Sequence, residues 1–384
     1  MNVGPSAPQG TVIGVATHVG TGEILYCIRT GNEKDDTWAP LEEVHAIDPP
    51  PEVVLETVEH APTSDRMQRR FLRDRHRPRN VMTLEYLGLS IPTWHYSPYH
   101  ITGALPSPEC GVVGSVWCCD GCLSPYASAF ELQRHTRRCN QMCPPGQVVY
   151  RDSTQAVAVY RVKGQHNVQY CRFLVLLGKL FLQDKLMGHN VDTYDFYCLC
   201  LERGNNKIPR AVRDGEGLVV AMFSQDTMST VHNLSCIATI PPFQGCGLGS
   251  FLIEFSYALS KRRGLLQGPE YPLSAQGMKV YHAYWDRCIL RVAFERLQSG
   301  APITMRDLAV ETGLTIVCVV ETLGRLGLVH RVEQRRDAIG GGPTEETVLV
   351  LQEGMVTWMK SLLRPLEFEV IESNFSKGFD LGTV

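Results

Sequence analysis

Residues 233–274 read NLSCIATIPPFQGCGLGSFLIEFSYALSKRRGLLQGPEYPLS, and this stretch decides the fold. It opens with a short apolar run, Cys236 to Ile240, that predicts a strand, and Pro241 and Pro242 end it. Gln244-Gly245-Cys246-Gly247-Leu248-Gly249 follows, and an amphipathic segment from Ser250 to Lys261 predicts a helix. The order is strand, glycine loop, helix start. Glycines let the backbone turn tightly and leave N–H groups bare at a helix N-terminus. Such a site holds a phosphate or pyrophosphate without a basic side chain. The loop is not a P-loop, because no Lys-Ser/Thr follows its last glycine. It is a poor dinucleotide fingerprint too, because position 250 is serine where that pattern needs another glycine. For the loop alone, an ordinary strand-to-helix turn is the competing reading.

The wording around the loop is more specific. Q-x-x-G-x-G after a strand resembles the acetyl-coenzyme A loop of the Gcn5-related acetyltransferases. NLSCI, IPPFQ, LIEFSYALSK and GPEYPLS resemble the MYST family of histone acetyltransferases. The likeness covers residues 81–370 and, more weakly, 10–48. It implies an α+β fold: an acetyl-CoA-binding Gcn5-related core with a mixed β-sheet, a zinc finger before it and a helix-turn-helix-like cap after it. It implies acetyl transfer from acetyl-CoA to the ε-amine of a histone-tail lysine, in the nucleus, within a multiprotein chromatin complex.

The same resemblance assigns residues. Glu270, in Gly268-Pro269-Glu270-Tyr271-Pro272, matches the catalytic glutamate, and Cys236 the cysteine beside the acetyl group, where it either accepts that group or lines the pocket. Ile237 and Thr239 would offer backbone groups to the pantetheine arm. Gln244, Gly245, Cys246, Gly247, Leu248, Gly249 and Ser250 would cradle the pyrophosphate, and Ser274 would touch the cofactor. Lys185 falls where the family carries a lysine that becomes acetylated. Three positions depart from the pattern. Gly245 and Ser250 stand where basic residues are usual, and Ala275 where an acid is usual. They support one alternative, an inactive chromatin scaffold of the same fold.

Composition agrees with a folded chain. Of 384 residues, 44% are hydrophobic and 20% charged, enough for two or three domains with a sizeable core. The net charge of −3 excludes a generic polyanion binder, so any nucleic-acid contact must come from a local patch. No long apolar run predicts a membrane span, and the N-terminus has no signal-like core, so an intracellular protein is expected. Fourteen cysteines there argue for metal ligation, catalysis or packing over disulfides.

Cys119-x2-Cys122-x12-His135-x3-Cys139 is a strong zinc spacing. The first pair sits on a predicted turn. His135 and Cys139 lie one turn apart on a predicted helix. Four protein ligands close the shell, so the site is structural. A zinc-finger DNA reader is the rival function, and a single finger gives it little affinity.

Upstream, residues 1–60 predict a small β module resembling a chromo barrel, with only Tyr26 and Trp38 as aromatics before residue 50. Residues 61–80 form a basic linker with seven arginines from Arg66 to Arg79, suited to phosphate contacts on DNA or a nucleosome. Residues 81–145 hold the zinc finger, 146–290 the catalytic core and 291–384 the helical cap. In that cap, Ile316, Val317, Val319, Val320 and Leu323 mark the second helix as a packing helix, residues 340–347 predict a hairpin tip, and the last twenty residues predict little structure.

Overall fold

The computed structural model describes residues 77–99, 113–182, 190–202, 205, 217–300, 303–328 and 370–376. It also describes, as backbone, the strands at 11–17, 24–29, 36–40, 329–334 and 344–349.

The N-terminal strands β1 (Thr11–Thr17), β2 (Ile24–Arg29) and β3 (Asp36–Pro40) pair antiparallel in chain order. Closure of this sheet into a barrel lies outside the described residues, as does most of the arginine linker. Two of its arginines are described, and both are tied down. Arg77 donates to the Tyr96 hydroxyl at 2.9 Å and Arg79 to the Thr93 carbonyl at 2.9 Å.

A four-stranded sheet follows: β4 (Val81–Tyr86), β5 (Leu89–Pro92), β6 (Val113–Cys118) and β7 (Pro125–Tyr126), in the order β5-β4-β6-β7. Helix α1 (Ala129–Thr136) comes next. The sheet joins the main core through buried Val81, Leu84 and Val116 and through the Tyr86 hydroxyl, which donates to the Val219 carbonyl at 3.1 Å.

The central sheet runs β13-β11-β10-β9-β8, antiparallel throughout. Its strands are β8 (Gln147–Asp152), β9 (Val157–Lys163), β10 (Tyr194–Leu201), β11 (Leu218–Asp226) and β13 (Cys236–Thr239). Strands β9 to β11 are near-continuous apolar runs because helices cover both faces. On one face, α2 (Val168–Lys179) turns Tyr170, Cys171, Leu174, Val175 and Leu177 inward at helical spacing. On the other, α3 (Leu248–Arg262) sets Phe251 and Phe255 against Tyr150, Tyr197 and Phe223. Tyr197 and Phe223 stack at 4.6 Å across β10 and β11.

Parallel pairing, already present between β4 and β6, makes the fold mixed. β12 (His232–Leu234) pairs parallel with β14 (Gly268–Pro269). Helix α4 (Ala275–Ser299) follows and runs unbroken across residue 290 until Gly300 ends it in the left-handed region at φ 67°. Its Trp285 donates to the Tyr257 hydroxyl of α3 at 2.9 Å. Helices α5 (Met305–Thr312) and α6 (Ile316–Arg325) pack on α4 and are joined by Gly313 at φ 78°. Only part of α6 packs as the sequence suggests: Val319 and Leu323 are buried, whereas Ile316 and Val317 face solvent. Strand β15 (Val329–Gln334) pairs with β16 (Thr344–Leu349), so Thr344 to Thr347 belong to a strand and not to a tip.

The chain's last part differs most from expectation. Residues 370–376 dock on β8 instead of trailing. Tyr150 bridges to Phe375, and the Ser376 N–H donates to the Val149 carbonyl at 3.0 Å. Phe375 stacks on Phe255 at 5.2 Å under the Arg262 guanidinium, which sits 4.2 Å from its ring. Burying one such phenylalanine contributes about 1.5–3 kcal/mol, which outweighs the polar composition around it.

Candidate functional site

β12 and β13 are one strand kinked at Ser235, whose N–H still reaches the Ser224 carbonyl at 2.8 Å. β14 accompanies the first half only. The Glu270 N–H donates to the Leu234 carbonyl at 2.9 Å, and beyond that bond the two strands part. A V-shaped gap opens there. Cys236 and Glu270 stand at its apex, one on each arm: Cys236 buried, Glu270 half-buried.

Below the apex, β13 has β11 on one edge and the gap on the other. The Ile240 N–H bonds the Val220 carbonyl at 2.9 Å, so alternation turns the backbone groups of Ala238 and Ile240 toward β11. Those of Ile237 and Thr239 therefore face the gap. One of them is already used: the Gln244 side-chain amide donates to the Thr239 carbonyl at 2.9 Å. Gln244 thus anchors the loop to the strand end, a job its sequence position alone did not suggest. Next to this edge an apolar cleft is lined by Leu174, Leu177, Phe181, Met222, Ala238 and Ile240.

The loop then climbs to α3. Gly245 and Gly247 hold φ of 74° and 81°, a region that costs an L-residue about 1–2 kcal/mol. Gly247 is the N-cap of α3 and offers no side chain to its first N–H groups. The helix therefore begins two residues earlier than the amphipathic pattern suggests, with Leu248 and Gly249 inside it. Ser250 lies in its first turn and carries no charge. Ser274, on the far arm, is the N-cap of α4 and accepts from the Gly277 N–H at 3.0 Å. Lys185 lies outside the described residues.

A residue that sequence reasoning passed over belongs here. Tyr194 opens β10. It pairs with Asp226 of β11, two residues along from Phe196–Ser224–Cys236 and so on the same face of the pleat. Burial pushes its phenol up, and the charges of Asp226, Glu270 and Cys236 push it further, so it stays protonated. No spacing in the sequence joins residue 194 to residue 270; only the sheet order does.

The second site is built from side chains. The ligand atoms of Cys119, Cys122, His135 and Cys139 all lie within 4.8 Å of one another. Cys119 Sγ and Cys139 Sγ are 3.9 Å apart, against about 3.8 Å for two thiolates on a tetrahedral zinc. Cys122 Sγ is 3.2 Å from His135 Nε2. The hydrogen bond from Cys119, helped by Ser124 and His135, pulls the Cys122 thiol down to about 4 and holds Cys119 protonated. A divalent cation would displace that shared proton. The donor set and its spacing fit zinc. Local chemistry aims the ligands: Ser128 caps α1 by accepting from the Glu131 N–H, and the Glu131 carboxylate accepts from the Ala127 N–H at 3.1 Å. Gly121 lets the Cys119–Cys122 turn press on residue 141, whose carbonyl a Cβ would meet at 1.8 Å. Cys118 is no ligand; it is buried, and burial pushes its thiol up to about 12.

Residues 143–354, more than half of the chain, match the MOZ/SAS family. The chain belongs to that family. Relatives agree. It is 34% identical over 255 residues to the Arabidopsis thaliana protein "Histone acetyltransferase of the MYST family 1", covering 66% of this chain and 52% of that one. It is 33% identical over 252 residues to Schizosaccharomyces pombe "Histone acetyltransferase mst2", covering 65% and 56%. It is 35% identical over 257 residues to the Caenorhabditis elegans "Histone acetyltransferase Tip60 homolog", covering 66% and 52%. The chain spans about half the length of the curated relatives it matches. The MYST resemblance read from residues 233–274 is therefore a family membership. Among the described residues, no helix is long and apolar enough to cross a membrane.

Proposed function

We propose that this chain transfers the acetyl group of acetyl-CoA to the ε-amine of a histone-tail lysine. The observation that carries the reading is the parted strand pair. Glu270 and Cys236 stand on the two strands where they part, a backbone edge without a strand partner runs down one arm, and a helix start with no side-chain cap follows it. A thioester laid along that edge would bring an activated acyl group to the apex and its diphosphate to the N-terminus of α3. No cation in the loop assists, so the phosphate contacts rest on N–H dipoles.

The amine must arrive neutral. With a lysine pKa near 10.4, only about one in a thousand is neutral near pH 7.4, a cost of roughly 4 kcal/mol. Glu270 takes the ammonium proton, and its backbone bond to Leu234 fixes where the carboxylate starts. The freed lone pair then attacks directly. Cys236, buried at the strand's start, lines the acyl pocket in this route. Its place at the apex is also what a ping-pong route would need, and Cys236→Ala separates the two. The cysteine–histidine cluster would hold a structural zinc through Cys119, Cys122, His135 and Cys139.

The partners proposed are histone tails within nucleosomes, with the arginine run on phosphate, in the nucleus and inside a chromatin complex. The test is mass spectrometry of core histones and nucleosomes after incubation with the purified chain and acetyl-CoA. Acetyl-lysine on a tail is expected, and an absence of transfer to every histone overturns the reading. Replacing Arg69, Arg70 and Arg73 by alanine should lower the rate on nucleosomes several-fold more than on a free tail peptide, because only nucleosomes offer phosphates. Equal loss on both removes the phosphate role.

A further inference from the structure

The Tyr194 hydroxyl makes no hydrogen bond among the described residues; its ring leans on Phe196 at 6.4 Å. Its backbone, by contrast, is held firmly. The Tyr194 N–H donates to the Val191 carbonyl, and the Thr227 N–H and hydroxyl both reach the Thr193 carbonyl, at 2.9 and 2.8 Å. Tyr194 is only half-buried, so its hydroxyl is open to water or to a bound group. Asp226 beside it already accepts from the Met228 N–H at 2.9 Å. On the same face of the pleat, the register runs from the Phe196–Ser224 pair beside Tyr194 to Cys236, and the charges of Cys236 and Glu270 are close enough to act on the phenol.

We infer that Tyr194 is a further catalytic residue, forming the wall of the lysine channel opposite Glu270. Its oxygen accepts one N–H of the incoming amine while Glu270 removes the proton from another, so the lone pair is aimed at the acyl carbon. The hydroxyl keeps its own proton throughout. It is an orienting group and not a second base. This inference rests on the acetyltransferase reading above.

The test compares wild type, Tyr194→Phe and Glu270→Gln on the tail peptide that wild type acetylates fastest. Tyr194→Phe keeps the ring and removes one oxygen. Its kcat should fall about tenfold, equally at neutral and alkaline pH, because orientation does not depend on amine protonation, whereas Glu270→Gln should recover as pH rises. Acetyl-CoA affinity should change less than about twofold, as expected of a group that touches only the amine. Binding gives a readout without turnover. With CoA present, wild type should prefer the lysine peptide over its norleucine analogue, and Tyr194→Phe should lose most of that preference. A Tyr194→Phe enzyme with wild-type kcat and intact lysine-over-norleucine preference overturns the assignment. So does a loss that recovers with pH alongside Glu270→Gln. A wild type that neither acetylates nor binds any tail peptide overturns the acetyltransferase reading and takes the Tyr194 assignment with it.

Discussion

The two sites are made of different material. The cysteine–histidine cluster is four side chains brought within 4.8 Å by a turn, a helix and the segment just past its end. The gap between β13 and the segment after β14 is mostly backbone: an unpaired strand edge, two positive-φ glycines and an uncapped helix start. Side chains can be deleted one at a time. Backbone groups can be altered only through the residues that shape them. The first site should therefore fail all at once, and the second by degrees.

The largest effect is expected at the cluster. Cys122→Ser removes one ligand and leaves three donors that no longer close a tetrahedron. Zinc content should fall from one per chain toward zero, with most of the soluble yield lost, because metal-binding energy here is folding energy. A soluble, active variant without zinc would erase the contrast. Next comes Glu270→Gln. Turnover at neutral pH should drop by roughly 10²-fold and recover in part at high pH, where lysine deprotonates unaided. A flat pH profile would break the assignment of Glu270 as base. Gly247→Ala is a milder change on the backbone site. Holding alanine at φ 81° costs about 1–2 kcal/mol, so acetyl-CoA binding should weaken about tenfold, read by calorimetry, with the melting temperature of the zinc region unchanged. The smallest effect is expected for Cys236→Ala, about threefold or less in kcat at saturating acetyl-CoA if the amine attacks directly. A variant as inactive as Glu270→Gln, with an acetyl thioester trapped on Cys236 in wild type, would overturn direct attack.

The sequence carried the cluster because ligand spacing is local: Cys119 and Cys122 share one turn and His135 sits in the last turn of α1, although Cys139 lies three residues past the end of that helix and not on it. It carried the glycine loop for the same reason. It did not carry Tyr194, which comes near Glu270 only through the neighbouring strands β10, β11 and β12. Nor did it carry Gln244 as a clamp on the Thr239 carbonyl, since a glutamine in a loop has many other uses. Apolar pattern overstated the burial of α6, where Ile316 and Val317 are exposed. It missed residues 370–376 because a single phenylalanine in a polar stretch has no periodicity.

That last segment bears on how the protein is made. The Tyr150 hydroxyl accepts the N–H of Ile371, 221 residues later in the chain. While the polypeptide is still emerging from the ribosome, Tyr150 and Phe255 wait without their lid, an aromatic surface open to any sticky neighbour. A message cut short before codon 370 would release a chain in that state for good. Such a product would hold every residue of the gap and still be marked for chaperones and proteases.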